Sequence, residues 1–573
     1  MAIGRFMLVL HTHMPYVLSH GKSPHGTDWL FEAAVECYLP LLDALDRMNQ
    51  AGVKPRWTVN LTPILAEQLD DPSFQAGFEE YCEEKIRYAQ QDKEHFEAAG
   101  ELWMTGLSAM WVRLFTKALI QFKHQWGRSI TGGFKSMHED GLIELITCGA
   151  THGYFPLTST DESIQAQVKL AVRSHEKRFG FKPRGIWLPE CAYRPSYPWR
   201  APAGDDSRVW DRKGVEQFLQ ENGIEYFFVD SHMIRGGEPL GTYWQKFPQL
   251  AELFQRSKQL FTPPEEFRSE YEHYLVPDGV TIFARDPQST VKVWSGDVGY
   301  PGNEYYLEFH KQQYPGRHRY WRISADKADL GAKQPYDPWQ AHELVGAHAQ
   351  DFVGIAKSTL AQYRGQANRE GTLVAMYDTE LFGHWWWEGP EFLYELGMRM
   401  AQDPDIQMAS GGDVVDQDPA RHMIHLPEGS WGEGGYHSVW LNEDNHWTWE
   451  KLYPVQKRMR HMAQNFAKGP AKEIVEQAAR EMLLAEASDW QFLISTWAAR
   501  DYAEARFDDH IERFHRLSAL AEAVHGGHTM TADEELFFQD CKEKDAPFPE
   551  TIDLNDWAKL DYPLMPPQEA YRP

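Results

Sequence analysis

Seven short apolar runs, separated by stretches of helical periodicity, set the frame for this chain: RFMLVLH (5–11), RWTVNLT (56–62), IELITCGA (143–150), RGIWLPE (184–190), IEYFFVD (224–230), VTIFARD (280–286) and TLVAMYD (372–378). They show little strict alternation of polar and apolar residues. Alternation marks a strand with one wet face, so these runs fit strands covered on both faces, as in a parallel sheet or barrel. Helical spacing of apolar residues fills segments between them, for example 29–49 and 163–180, the second opened by the capping material STDES. The pattern is β/α. At 573 residues the chain exceeds the size at which one core stops growing, so one large domain with appendages, or two to three domains, is expected.

Most of the runs end in a residue with chemistry to offer: His11 with His13, Asn60, His152 just beyond the third run, Glu190, Asp230 and Asp378. In a β/α barrel the C-terminal strand ends converge on one face, which builds a polar mouth. Two stretches interrupt the pattern. Residues 191–212 are rich in proline and aromatics, and 231–279 carry a glycine-rich turn followed by a charged amphipathic stretch; long insertions of this kind serve as lids or binding loops. After about residue 410 the character changes to a glycine and tryptophan loop (428–449), then successive amphipathic helices (450–525), then a proline-rich tail expected to lack regular structure. The organisation expected is a catalytic barrel over 1–190 and 280–410, an inserted loop and helical subdomain over 191–279, a helical domain over 411–545 contributing to the cleft, and a tail over 546–573.

Composition narrows the function. Hydrophobic residues at 42% and charged residues at 25% are those of a globular chain, and no uninterrupted apolar stretch of membrane-spanning length occurs. The early run FMLVL is too short for a signal-peptide core and lacks a cleavage site, so a cytoplasmic location is expected. The five cysteines (37, 82, 148, 191, 541) are scattered without CxxC spacing and are expected as reduced thiols. A formal net charge of -27 opposes nucleic acid and anionic lipid, both of which need a basic surface. Aromatic content of 13%, with 22 tryptophans, suits a neutral ligand with flat apolar faces, such as a sugar.

The stretch YDTELFGHWWWE (377–388) sets three acids and a histidine beside three tryptophans. Asp378 follows an apolar strand and could serve merely as a helix N-cap. Glu190, flanked by Trp187 and Tyr193 in WLPECAY, could be a solvated loop glutamate or a nucleophile or proton donor at a strand end. Together the two carboxylates match the equipment of glycoside chemistry, in which one attacks the anomeric carbon and the other protonates the leaving oxygen. His11 and His13 share one face of a strand, so they could chelate a metal with a carboxylate, or one could bind a substrate hydroxyl while the other sits satisfied in the core. His152 is a further candidate for the mouth.

HTHMPYV, GATHGYFP, WLPECAYRP, YDTELFGHWW and SWGEGGYHSVW resemble, in this order, the five sequence regions of glycoside hydrolase family 57, and in detail its 1,4-alpha-glucan branching enzymes. The motifs span residues 11–440, about three quarters of the chain. The resemblance implies a distorted (β/α)7 barrel with an inserted helical subdomain and a C-terminal α-helical domain, performing retaining chemistry on α-1,4-glucan donor and acceptor chains without metal or other cofactor. It implies Glu190 as nucleophile and Asp378 as general acid and base. His11 and His152 would bind the sugar at the cleavage point, with His13 and His384 as further substrate contacts. Trp29, Trp294, Trp431 and Trp440 would line the donor and acceptor sites, and Tyr243 would sit on a loop that favours transfer over hydrolysis. Rival expectations are a 4-alpha-glucanotransferase or α-glucan hydrolase of the same family, a metal-dependent polysaccharide deacetylase using His11 and His13, and a non-catalytic glucan-binding protein.

Overall fold

The structure, a computed structural model, describes residues 2–235, 268–325 and 329–563. Among these, eleven strands occur in chain order: β1 (Gly4–Thr12), β2 (Trp57–Leu61), β3 (Ile143–Ile146), β4 (Gly185–Ile186), β5 (Tyr197–Arg200), β6 (Val209–Arg212), β7 (Tyr226–Val229), β8 (Tyr274–Leu275), β9 (Thr281–Ala284), β10 (Gly371–Asp378) and β11 (Ile406–Met408). Each of the seven apolar runs of the sequence overlaps one of them. The chain divides into two compact units, one of residues 1–61, 65–145 and 285–414, the other of 62–64, 146–284 and 415–573.

In the first unit the sheet runs in the order β10-β1-β2-β3, with β11 also on β1. The pairs β1–β10, β1–β11 and β1–β2 are parallel. All nine residues of β1 are buried, as the lack of alternation in its sequence requires. The register sets His11 opposite both Asn60 and Asp378, so three polar side chains meet where the strands end. The 30-residue helix Pro338–Ala367 packs behind β10 and β1; its N-cap Asp337 accepts from two backbone N–H groups and its C-cap Asn368 adopts the left-handed conformation.

In the second unit β4, β7 and β9 are parallel, and β8 returns antiparallel on β9. Thr147 extends the parallel pairing to Ile186. The helix Asp161–Phe179 covers this sheet; Thr160 caps it by accepting from the Ser163 N–H, and Gly180 ends it at φ 88°. The proline-rich interruption 191–212 contains an antiparallel hairpin, β5 with β6, in which Trp199 faces Trp210 across the ladder. The glycine and tryptophan loop leads into the helices His446–Asn465, Lys472–Ala485, Asp489–Thr496, Arg500–His525 and Ala532–Lys544. The α/β core on parallel strands and the C-terminal helical region are therefore as expected. The tail differs from expectation in part: one helical turn, Asn555–Ala558, buries Trp557 completely, and Gln165 donates to the carbonyls of Asp556 and Lys559. A buried indole and satisfied backbone carbonyls hold this segment where its prolines alone would have left it irregular. All five cysteines are buried thiols outside any disulfide.

Candidate active site

In the second unit the chain leaves β4 through Trp187, Leu188 and Pro189 and reaches Glu190 at φ 60°, ψ 23°. His152 (φ 62°) shares this left-handed conformation. Non-glycine residues adopt it at a cost of order 1 kcal/mol or more, and such strain collects where function demands a particular side-chain direction. Both side chains are held at the same point. Trp431 donates its indole N–H to Glu190 Oε2 at 2.9 Å, and its backbone N–H to the Glu190 carbonyl at 3.1 Å. Ser488 Oγ lies 2.9 Å from Glu190 Oε1 and 2.9 Å from His152 Nδ1, while the Ser488 N–H donates to the His152 carbonyl. One hydroxyl proton serves one acceptor. With the carboxylate ionised, Ser488 donates to Glu190, so His152 donates from Nδ1 to Ser488.

Burial pushes the Glu190 carboxyl up to about 7, opposed by the Trp431 hydrogen bond and reinforced by the Asp489 carboxylate. Burial likewise raises Asp489 to about 6, with His152 acting against it. Trp440 is buried and stacks on Tyr154, with centroids 4.7 Å apart and planes 25° apart. Tyr154 donates to His437 Nδ1 at 2.9 Å, and His437 Nε2 donates to Glu428 Oε1 at 2.9 Å. Tyr197 donates to the other Glu428 oxygen at 2.6 Å. Burial would raise Glu428, but these donors outweigh it and hold the carboxyl below its usual range. A hydrogen-bonded chain thus fixes the platform on which Trp440 lies. Trp431 packs edge-on against Trp187 at 5.0 Å.

In the first unit Asp378 ends β10 at the N-cap of a short turn, Thr379–Leu381, and makes no side-chain cap bond. The capping alternative for Asp378 therefore lacks its bond. His11 Nδ1 contacts Asn60 Oδ1 at 2.6 Å, which orients the ring. His13 stacks on His11, with centroids 5.7 Å apart, and burial lowers it to about 3; burial also drives His11 well below its usual value. Both rings are neutral at pH 7 and act through hydrogen bonds. Glu380 Oε1 receives the His13 N–H at 3.2 Å and the Tyr38 hydroxyl at 2.8 Å. His384 Nδ1 bonds Glu36 Oε2 at 2.8 Å, and Arg319 bonds the other Glu36 oxygen at 2.6 Å.

The three tryptophans go separate ways. Trp385 is 54% exposed and stacks on Phe309 at 4.6 Å, Trp386 is buried against Phe392 at 4.8 Å, and Trp387 leans on Trp111 at 4.8 Å. Trp386 belongs to the core and offers no face to a ligand. Trp29 is half-buried on the helix Thr27–Ala33, with the His25 ring edge-on at 6.0 Å. Trp294 ends the helix Pro287–Trp294 and is buried. Tyr243 lies outside the described residues.

The structure thus brings Glu190, His152, Trp431 and Trp440 together in one unit, and His11, His13 and Asp378 together in the other. Sequence reasoning missed Ser488, Asp489, Tyr154, His437 and Glu428 as members of the Glu190 cluster. Tyr154, Glu428 and His437 stand inside or beside the quoted motifs, whereas Ser488 and Asp489 come from the helical region, where nothing in the local pattern marks them.

Three comparisons bear on this geometry. Residues 7–427 match the family model described as glycosyl hydrolase family 57, and residues 451–557 match that of the 1,4-alpha-glucan branching enzyme C-terminal region. A 1,4-alpha-glucan branching enzyme of Thermococcus kodakarensis is 39% identical over 555 residues, covering 95% of this chain and 77% of the relative. The crystal structure of a branching enzyme of this family from Pyrococcus horikoshii superposes with a TM-score of 0.87 at 37% identity, over 98% of both chains. That of the alpha-amylase AmyC from Thermotoga maritima gives 0.79 at 29% identity, over 97% and 99% of the two chains. With a family model covering most of its length and relatives of this closeness, the chain belongs to glycosyl hydrolase family 57.

Proposed function

We propose that this chain cleaves α-1,4 linkages of a glucan and transfers the released chain to a 6-hydroxyl, forming α-1,6 branches by a retaining double displacement. The observation that carries the proposal is the Glu190 carboxylate: its side chain only 13% exposed, set on strained backbone, and held by Trp431 and Ser488 beside His152. In the first displacement Glu190 attacks the anomeric carbon, the bond from that carbon to O4 breaks, and Asp378 gives its proton to the departing oxygen. In the second, Asp378 takes the proton of an acceptor 6-hydroxyl, whose oxygen displaces Glu190 from the same carbon. His11 and His152 would hydrogen-bond hydroxyls of the sugar under attack. His13, His384, Trp29, Trp294, Trp431 and Trp440 are proposed to line the donor and acceptor subsites, with Tyr243 on a loop that favours transfer over hydrolysis.

Water competes with the acceptor for the glycosyl-enzyme. An acceptor stacked in attack geometry gains an effective molarity of about 10⁵ M or more, which is why aromatic walls favour transfer. No described helix is long and apolar enough to cross a membrane, and we place the reaction in the cytoplasm. Catalytic strands over 1–190 and 280–410, an insertion over 191–279, a helical domain over 411–545 and a tail over 546–573 remain the proposed division of labour.

The test is amylose digestion with new α-1,6 linkages counted against new reducing ends. Linkages are expected to exceed reducing ends, and Glu190→Gln and Asp378→Asn should each lower branching by about 10³-fold or more. Branching at the parental rate in Glu190→Gln would remove the mechanism. Reducing ends without linkages would make the chain a hydrolase.

A further inference from the structure

Two tryptophans of the first unit stand in solvent on rigid supports. Trp103 is 51% exposed, and its indole N–H donates to the Tyr336 carbonyl at 2.8 Å, which pins the ring and leaves its face open. Trp339 is 80% exposed at the second position of the helix Pro338–Ala367, whose N-cap Asp337 accepts from the backbone N–H groups of Trp339 and Gln340. Exposing indole forfeits about 25 cal/mol for each Å² left wet, so two such rings, one on the segment 335–340 and one bonded to it through the Tyr336 carbonyl, call for a ligand. A cavity of about 370 Å³ lies here, lined by Trp103, Arg322, Gln334, Pro335, Asp337 and Gln340. A second, of about 400 Å³, shares the same segment through Tyr336 and Pro338, with Trp387 in its wall.

We infer that residues 335–340, with Trp103 and Trp339, form an accessory binding surface for an α-1,4-glucan chain, additional to the subsites at Glu190 and Asp378. Ring faces would stack on the apolar faces of glucose units, and the amide, carboxylate and guanidinium groups of Gln334, Gln340, Asp337 and Arg322 would meet the hydroxyls. The lining discriminates among ligands. The core of a protein interface is depleted of charged side chains, whereas Arg322 and Asp337 line this cavity itself. Carboxylates at the second cavity, among them Glu36, Asp43 and Glu391, and the acidic chain as a whole oppose a polyanion. The inference rests on the α-glucan reading of the substrate, and it gives a polymer-acting enzyme a place to hold a long chain while a short segment reacts.

The experiment is native electrophoresis of the full-length protein through gels containing amylopectin, or dextran as the α-1,6 control, with branching of short amylose measured in parallel. Trp103→Ala/Trp339→Ala is expected to weaken amylopectin retardation at least fivefold. Its turnover of short amylose, circular dichroism and monomer or oligomer mass should match the parent. The Phe pair at the same positions, which keeps a flat face, should restore most of the retardation, and Trp339→Ala alone should show part of the loss should the double variant fold poorly. Unchanged retardation in the folded variants overturns the inference. A changed oligomer mass with unchanged retardation also overturns it, by making the patch a protein interface. Glu190→Gln should retain parental retardation, so failure of the catalytic proposal and failure of this one give different results.

Discussion

Ser488 is the side chain on which the Glu190 cluster turns, because a single hydroxyl ties the carboxylate to His152. Removing it deletes one of the donors that keep Glu190 ionisable against burial, so its carboxyl should rise above about 7. Glu190 must be ionised to attack. We therefore expect Ser488→Ala to lower kcat by about 10- to 100-fold near pH 7 and to move the acid limb of the pH profile upward, with Ser488→Thr recovering part of both. A lower kcat with an unmoved limb would assign Ser488 a packing role only. The strand-end positions of Glu190 and Asp378 were legible in the sequence because each ends an apolar run within a motif. Ser488 was not, since its bond to Glu190 spans 298 residues of sequence and hydroxyls carry no periodic signal. His437 was similarly hidden: its spacing from Glu428 is readable, but its acceptance from Tyr154 depends on tertiary structure.

The turn that carries Asp378 into the following helix depends on one glycine. Gly383 sits at φ 121°, its N–H donates to the Trp386 carbonyl, and a Cβ placed there would meet the Glu36 carbonyl oxygen at 1.8 Å. Glu36 belongs to a π-helical turn, Ala34–Tyr38, inserted between two α-helical segments, which bonds both His384 and Arg319. Neither backbone can yield without disturbing this polar cluster, so Gly383→Ala should cost about 3 kcal/mol or more. Urea unfolding followed by tryptophan fluorescence measures this; a loss below about 1 kcal/mol would mean that the turn relaxes freely. Element type was largely legible, since continuous apolar runs between amphipathic helices leave few alternatives. The β5–β6 hairpin was not, because its prolines and exposed positions mask strand periodicity. The sorting of Trp385, Trp386 and Trp387 into stacked surface, core and half-buried positions was also not legible, because three adjacent rings carry no period.

At the scale of the whole molecule, acidity and burial pull against each other. Burial holds Glu216, Glu388 and Glu486 at about 7, as it does Glu190, and Asp489 at about 6. Glu481 is raised as well, again mainly by burial. Each of these groups keeps its proton in the folded chain where the unfolded chain has already lost it. The stability they contribute is complete below about pH 4.5 and is lost as pH rises to about 7. A shift of two units or so is worth about 3 kcal/mol, so several such groups together amount to several degrees of melting temperature in a chain of this length. Repulsion among the charges behind a net -27 adds to the loss at alkaline pH. Scanning calorimetry should therefore show Tm falling by about 5 °C or more between pH 5 and pH 8. Raising salt from 0.05 to about 0.5 M at pH 8 separates the two causes, because salt screens surface repulsion but does not rehydrate a buried carboxylate. Partial recovery is the expected result. Full recovery would assign the whole effect to surface charge, and Glu190→Gln would then melt with the parent at pH 8 rather than above it.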